Sequence, residues 1–531
     1  MADASSRSSA DVVIVGSGVA GAIVALELAK AGIDTMMLEA GPRLQRWQIV
    51  ERFRSSPTKG DSQAPYPPSP HAPHPQYSPP NDYVIQKGRD PFIAGYIRAV
   101  GGTTLHWNAV AARFLPSDFK LQSKYGVGRD WPLSYDDLEP DYYRAEVEMG
   151  VAGNLADDHG SPRRDPFPMD VAPLMSYLDL RVQQVLGEKG WKVVPDIVAR
   201  NSRAYDGRPA CVGNNTCAPI CPIGAQYSGA DTVRKAEAAG ATLVTDAVVH
   251  RVELGPDGRV AAVRYLDPQG TEHRVTGRYF VLAANGIEIP KLLLMSDGVA
   301  NSSDHVGRNL MDHPGSSITF LSSEPLWSGR GPQRNSFIEG MRDGAFRSEY
   351  AAAKMNVGNY NRIRQVTEEL IERGVYGAAL GEMIADRASR QLSFSAFYEQ
   401  LPDPENRVAP STDQKDALGL PRPQITYRID DYVRVSDVKV KENFTAFAQM
   451  LGGTEAVFGE GFASNNHMMG TTIMGDDPAD SVVDRDCRTH DHDNLFVASS
   501  SVFPTSSSIN PTLTIAALSF RIADRLREAP R

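Results

Sequence analysis

The sequence predicts an α/β protein, α+β overall: a Rossmann-like dinucleotide-binding domain joined to a second, discontinuous domain built on a sheet. Three observations predict it. The β-branched run Asp11–Val15 leads at once into Gly16-Ser17-Gly18-Val19-Ala20-Gly21, then into a helical pattern and a second apolar run ending at Glu39. Strand-like and helix-like segments alternate again between residues 231 and 300, the pattern of a doubly wound sheet. At 531 residues the chain is too long for one simple core, so two intimately connected domains are expected.

Composition narrows the function. With 41% hydrophobic and 23% charged residues the chain is an ordinary globular protein. A net charge of −10 argues against nucleic acid and anionic membrane surfaces as partners. No apolar run approaches the roughly 20 residues that span a bilayer. Met1-Ala2-Asp3-Ala4-Ser5-Ser6-Arg7 lacks an apolar signal region, so the chain is expected to carry no export signal of its own.

The N-terminal unit comes first. Strand 11–15, the three glycines, a helix through Ala22–Ala29 stopped by Gly32, and the run Met36–Gly41 form a complete βαβ context, with Glu39 18 residues after Gly21. Gly16, Gly18 and Gly21 let the backbone approach a pyrophosphate at a helix N-terminus, and Glu39 accepts hydrogen bonds from ribose hydroxyls. The motif serves NAD and FAD alike. Its place at the chain start, with a glutamate closing the second strand, leans toward FAD.

Residues 42–92 differ in kind. Pro65-Tyr66-Pro67-Pro68 through His71, His74 and Pro80 read as a proline-rich meander on the surface, without regular structure. Arg98–Asn108 then brings Gly101, Gly102, Thr103, Thr104, His106, Trp107 and Asn108 together. Paired glycines admit a flat ligand to the backbone, although from this stretch alone a tight turn with no ligand is the better reading. Residues 130–210 read as mixed helix and loop, with a helix from Tyr135.

Cys211, Cys217 and Cys221 fall within eleven residues among Gly, Asn and Pro. That crowding is wrong for a disulfide scaffold. Three thiolates hold zinc if a histidine is near, or an iron–sulfur cluster with one corner unfilled. A disulfide with a spare thiol, or inert buried thiols, are the alternatives. Cys487 stands apart and reads as a small buried hydrophobe.

From 230 the α/β pattern resumes: a helix at 230–239, strands at 241–244 and 248–252, a hairpin through 263–266 and 271–275, a buried strand from Tyr279, and a helix opened by Pro290. The stretch 315–455 alternates strand-like runs (Ser317–Phe320, Gln391–Phe397) with helices and carries no motif that speaks to chemistry. Near the C-terminus, His467 precedes Gly470-Thr471-Thr472, and Asn510 precedes Pro511-Thr512, where a helix opens. An imidazole and an amide on two turns aimed at one point hold an alcohol, the first taking its proton and the second gripping its oxygen. A satisfied core histidine and a helix cap are the bland readings of the two.

These motifs together resemble the glucose–methanol–choline (GMC) oxidoreductase family over essentially the whole chain: Gly16–Gly21 with Glu39, Gly101–Thr104, Ala283-Ala284-Asn285-Gly286 with Pro290, His467 before Gly470-Thr471, and Asn510–Thr514. The cysteines, Tyr125–Trp131 and Arg308-Asn309-Leu310-Met311-Asp312-His313-Pro314 look like the catalytic subunit of bacterial FAD-dependent sugar dehydrogenases, the glucose, fructose, gluconate and sorbitol enzymes. The resemblance implies FAD contacts at Gly16, Gly18, Gly21, Glu39, Gly101, Gly102, Thr103, Asn108, Val248, Ala283, Pro511 and Thr512. It implies His467 and Asn510 as the catalytic pair, and a [3Fe-4S] cluster on Cys211, Cys217 and Cys221. It implies an FAD-binding domain of 8–45, 211–312 and 460–531, a substrate-binding domain of 313–459, and a mixed region, 46–210, that brings a flavin-contacting turn.

The implied activity is oxidation of a sugar or polyol hydroxyl by hydride transfer to flavin, with electrons leaving through the cluster to a multihaem cytochrome c subunit. A small subunit with a twin-arginine (Tat) signal would carry the chain to the periplasm, and any membrane contact would run through a partner. The alternatives are a GMC dehydrogenase or oxidase of a non-sugar alcohol, a cytoplasmic location, and a scaffold subunit that keeps flavin without turnover. Three departures stand out: Val212 where close relatives have a second consecutive cysteine, Leu105–Asn108 in place of a tryptophan-rich stretch, and Ser499 where many members have aspartate.

Overall fold

The computed structural model describes residues 7–57, 65–67, 69–75, 82–170 and 175–529. Met1–Ser6, Pro68 and Pro80, which entered the readings of the N-terminus and the meander, lie outside them.

A seven-stranded sheet forms the first layer. Its order is Thr242–Val244, Thr35–Leu38, Ser9–Val15, Glu272–Leu282, Val260–Leu266 and Val248–Leu254, with Leu495–Val497 also paired to Glu272–Leu282. The strands around Ser9–Val15 run parallel and the last three form an antiparallel wing. Parallel strands need both faces covered, and Val12–Val15 and Met36–Leu38 are all buried. Helix Val19–Lys30 packs between helices Gly229–Ala238 and Thr512–Glu528. Its Ala20, Gly21, Ala22, Ala25 and Ala29 are buried and short enough for close approach.

A six-stranded antiparallel sheet forms the second core, in the order Thr454–Phe458, Gly315–Leu321, Gln391–Tyr398, Ala353–Gly358, Ser336–Ile338 and Val193–Pro195. Helix Asp431–Met450 covers it, burying Val433, Val440, Phe444 and Phe447. Among the described residues no helix is long and apolar enough to cross a membrane.

Three local expectations are corrected. The segments 271–275 and 279–282 are one strand, Glu272–Leu282, because its N-terminal half pairs with Val260–Leu266 while its C-terminal half pairs with Ser9–Val15. The 42–92 stretch is neither structureless nor wholly superficial. Arg46–Ser55 is a helix. Tyr66 is buried and its hydroxyl donates to the carbonyls of Leu105 and Pro219, both at 2.8 Å, tying the Gly101–Asn108 turn to the cysteine loop.

The third correction concerns Pro290. The helix runs Asn285–Met295 and the proline sits inside it. Asn285 starts the helix by accepting from the N–H groups of Ile287 (2.8 Å) and Glu288 (3.1 Å) through its side chain. A proline inside a helix leaves the carbonyl four residues earlier without its donor. Here that carbonyl is Gly286, and the Thr471 hydroxyl donates to it at 2.7 Å.

Candidate active site

A cleft of ≈ 450 Å³ runs between the two sheets. Its floor is the glycine turn. Gly16 has φ +101°, and a Cβ there would lie 2.6 Å from the Ala283 carbonyl oxygen. A Cβ on Gly21 would lie 2.1 Å from the Gly16 carbonyl oxygen, so helix and turn pack too tightly for any side chain. Gly18 is the reverse: a Cβ there meets nothing within 4 Å, because the turn opens into the cleft at the N-terminus of helix Val19–Lys30. Donor N–H groups of a first helical turn facing an open cradle fit a pyrophosphate.

Glu39 lines the same cleft. Its carboxylate accepts from the Ser17 N–H (2.9 Å), the Ser17 hydroxyl (2.7 Å) and the Gly41 N–H (3.0 Å). Burial pushes its pKa up, against those hydrogen bonds and the pull of Arg98. Much of its accepting capacity thus staples the glycine turn to the end of the second strand.

Gly102, Thr103, Asn108, Val248, Ala283, Pro511 and Thr512, which the resemblance implies as FAD contacts, line the cleft. Gly21 and Gly101 stand behind it: Gly101 gives room to Ala230, whose nitrogen a Cβ would approach to 2.6 Å. The Asn108 Oδ1 is buried and without a hydrogen-bond partner. An open cradle at Gly18 and a buried acceptor at Asn108 suit an FAD lying along the cleft. The residues present fit it.

His467 and Asn510 meet at the far end. The Asn510 Nδ2 lies 3.2 Å from the His467 Nε2, and the Asn510 Oδ1 is buried with no partner. Asn510 caps no helix, since Thr512–Glu528 begins after Pro511. The His467 loop is held from behind. Its own N–H donates to Asp312 Oδ1 (2.9 Å), Met469 and Met311 exchange N–H···O bonds at 3.0 Å each, and the Ser500 hydroxyl donates to the Met468 carbonyl at 2.6 Å.

His313 is the residue that sequence reasoning passed over except as part of a motif. Its Nε2 faces the carbonyls of Ser506 (3.1 Å) and Ser507 (2.8 Å), and its Nδ1 lies 2.7 Å from the His467 Nδ1. Carbonyls only accept, so Nε2 of His313 carries a proton. In the neutral ring its Nδ1 is then an acceptor, and His467 must donate to it from Nδ1. The lone pair of His467 is thereby fixed on Nε2, the atom beside Asn510. Burial drives the pKa of His467 well below the usual histidine range, and the charges of Arg334 and Lys354 add to it. Burial lowers His313 too, against the pull of Asp312. Both rings are neutral at pH 7.

Phe397 and Arg334 come from the stretch that carried no readable motif. Phe397 stands edge-on to His467 (centroids 5.8 Å apart, 77°) and parallel to His313 (6.4 Å, 4°). Arg334 lies over Phe397, 5.2 Å from the ring centroid. A lone arginine and a lone phenylalanine give no sequence signal; the sheet brings them here.

The three loop cysteines do not line the cleft, but Ala218, next to Cys217, does. All three are free thiols, Cys217 buried and the others half-buried. The Gly213 N–H points at the Cys211 sulfur (3.4 Å) and the Arg200 guanidinium at the Cys217 sulfur (3.7 Å). Burial raises the Cys211 pKa, opposed first by Arg200. Among the described residues no three His, Cys, Asp or Glu gather closely enough to hold a metal ion. The loop thus fits a cluster by its donors and not by a preformed cage. Cys487 is a buried small hydrophobe with its thiol pKa pushed up by burial, as expected.

Two family models, both described as GMC oxidoreductase, match residues 10–315 and 402–519. The chain is 47% identical to the fructose dehydrogenase large subunit of Gluconobacter japonicus, covering 98% of each chain. It is 29% identical to the 2-methyl-1,2-propanediol dehydrogenase of Mycolicibacterium austroafricanum, over 97% of this chain and 94% of that one. Among solved structures it resembles a formate oxidase from Aspergillus oryzae, studied for modification of its FAD, with TM-score 0.65 over 98% of both chains. At 14% identity that likeness is one of fold alone.

Proposed function

The chain belongs to the GMC oxidoreductase family, FAD-dependent enzymes acting on CH–OH donors, and from that premise we propose that it is a dehydrogenase of a sugar or polyol hydroxyl. The observation that carries the reading is the fixed tautomer of His467, a neutral imidazole whose only free lone pair faces Asn510 and the cleft. Its 47% identity to a fructose dehydrogenase large subunit supports a sugar-like substrate.

FAD, held along Gly16, Gly18, Glu39, Gly102, Thr103 and Ala283, supplies a hydride acceptor. The chain's own residues do the rest. Asn510 Nδ2 now points at His467 Nε2; an alcohol entering between them accepts from the amide and donates its proton to the imidazole. Withdrawing that proton raises electron density on the carbinol carbon and loosens its C–H bond as hydride. His467 takes the proton at Nε2 while Nδ1–H keeps its bond to His313, so the ring needs no rotation. Phe397 shields this end of the cleft from water, where polar contacts are strongest.

Cys211, Cys217 and Cys221 are proposed to hold a [3Fe-4S] cluster, supported by three free thiols in one loop, an N–H aimed at one sulfur and a guanidinium at another. Such a cluster supplies one-electron transfer. On this reading electrons leave to a multihaem cytochrome c subunit, and a small subunit bearing a Tat signal brings the chain to the periplasm. The relative's being a large subunit supports an assembly.

One preparation tests the whole. Purified anaerobically, the protein should be yellow, contain iron, and bleach its flavin at far lower concentrations of a sugar or polyol than of a simple monohydric alcohol. Air should reoxidise it slowly, and a dye or cytochrome fast. Catalytic peroxide formation would make it an oxidase. Bleaching confined to monohydric alcohols would remove the sugar reading, and protein free of iron or carrying zinc would remove the cluster.

A further inference from the structure

We propose that Arg334 determines substrate specificity by gripping a second oxygen of the substrate, on a carbon next to the one that reacts. The inference rests on the sugar- or polyol-dehydrogenase reading above and deepens it.

Arg334 lines the cleft beside His467, Asn510 and Phe397. Its Nε donates to the Tyr360 hydroxyl at 2.7 Å, and the guanidinium carbon lies 5.2 Å from the ring centroid of Phe397 and 5.7 Å from that of Tyr360. Its main-chain carbonyl accepts from buried Arg200 at 3.1 Å, so the backbone is anchored as well. The tied Nε and the anchored backbone together restrict the direction of the fork.

What the fork is for is unassigned. Arg334 Nη1 is buried and has no hydrogen-bond partner, and Arg334 forms no ion pair among the described residues. The other cations of the cleft region are compensated: Arg98 and Lys291 by Glu288 (2.7 and 3.1 Å), and Lys354 by Asp196 (2.5 Å). A buried donor left unpaired is costly, and a cation more so. Such a group persists where a ligand completes it. Close by, Asn510 Oδ1 is a buried acceptor without a partner. A donor and an acceptor that line one cleft with a base and an aromatic ring complement a molecule carrying neighbouring hydroxyls. A monohydric alcohol would satisfy His467 and Asn510 and leave Arg334 unmet.

Arginine is the residue type suited to this role, because its planar fork reads two oxygens at once and keeps its charge at every working pH. A carboxylate would satisfy the same fork, so the test includes a hydroxy acid.

The experiment is anaerobic flavin reduction by the holoenzyme and two variants, Arg334→Gln and Tyr360→Phe. Each is tested with a vicinal polyol, a monohydric alcohol of matching chain length and the matching hydroxy acid. For the polyol, Arg334→Gln should raise the half-saturating concentration roughly 10–100-fold, the scale of one lost hydrogen bond to a charged group, with the limiting rate changed only a few-fold. The monohydric alcohol should be affected little, so discrimination between the two collapses. Tyr360→Phe, which frees Nε but keeps the charge, should shift discrimination the same way by less, and it stands in should Arg334→Gln fail to bind FAD. An equal loss for all alcohols, with a displaced flavin spectrum, would assign Arg334 to the cofactor and overturn the proposal. Loss confined to the hydroxy acid, or no change, would overturn it too. If wild type reduces its flavin with no polyol at all, the dehydrogenase reading fails with it; if polyols work and the variants keep their discrimination, Arg334 alone is wrong.

Discussion

His467 has two partners through its ring, and they divide the labour. His313, pinned by two carbonyls, decides which nitrogen of His467 is basic; Asn510 decides what reaches it. General-base assistance is worth roughly 10²–10⁴-fold, about 3–5 kcal/mol of barrier. His467→Ala should therefore slow anaerobic flavin reduction by that factor with FAD still bound, and Asn510→Ala should cost less. The pH dependence follows from burial. Only neutral imidazole accepts the proton, and with its pKa depressed His467 stays neutral from alkaline pH down through the usual histidine range. The rate should be flat across neutrality and fall only at more acid pH. His313→Leu removes the acceptor that holds the His467 proton on Nδ1, so the rate should fall with FAD still bound. A rate that stays near wild type would make His313 a packing residue. None of this was visible in sequence beyond His467 and Asn510 themselves, because a tautomer is fixed by carbonyls 193 and 194 residues away.

The helix Asn285–Met295 shows what a local reading resolves at the scale of an element and where it stops. A proline ahead of an apolar run reads as a helix start, and the helix is there; its first turn is not where the proline puts it. The missing N–H of Pro290 is made good by Thr471, on the loop that carries His467. An apparent flaw in the helix is thus the joint between the sheet's own helix and the loop of His467. Thr471→Val should leave the Gly286 carbonyl buried and unpaired, at about 1–3 kcal/mol. Pro290→Ala supplies an N–H to the same carbonyl, so Thr471→Val combined with Pro290→Ala should lose less stability than Thr471→Val alone. Chemical denaturation of the four proteins gives the coupling directly. Additive effects would mean that the hydroxyl and the missing N–H are unrelated.

Across the whole molecule, the glycine turn was legible because its geometry is local: Gly16 and Gly21 are required by backbone approach, and Gly18 leaves the space before the helix open. The opposite wall was not, since Phe397 comes from a strand of the second sheet and Arg334 from the segment just before another, Ser336–Ile338, and neither carries a pattern except burial. The cleft is therefore a product of how the two sheets face each other, and a ligand that fills it binds the folded chain alone. Such a ligand adds stability as its concentration rises above its dissociation constant, about 1.4 kcal/mol for each tenfold. Protein stripped of FAD should show that slope when denatured at graded FAD concentrations. Gly18 isolates the cause. Its φ of −65° suits any residue, and a side chain there meets no protein atom. Gly18→Val should then leave the stripped protein within about 1 kcal/mol of wild type, the scale of an altered helix cap, and abolish the dependence on FAD. A Gly18→Val protein that is unstable without FAD would mean that the turn is closed by packing; one that keeps the full slope would mean that the cofactor lies elsewhere in the cleft.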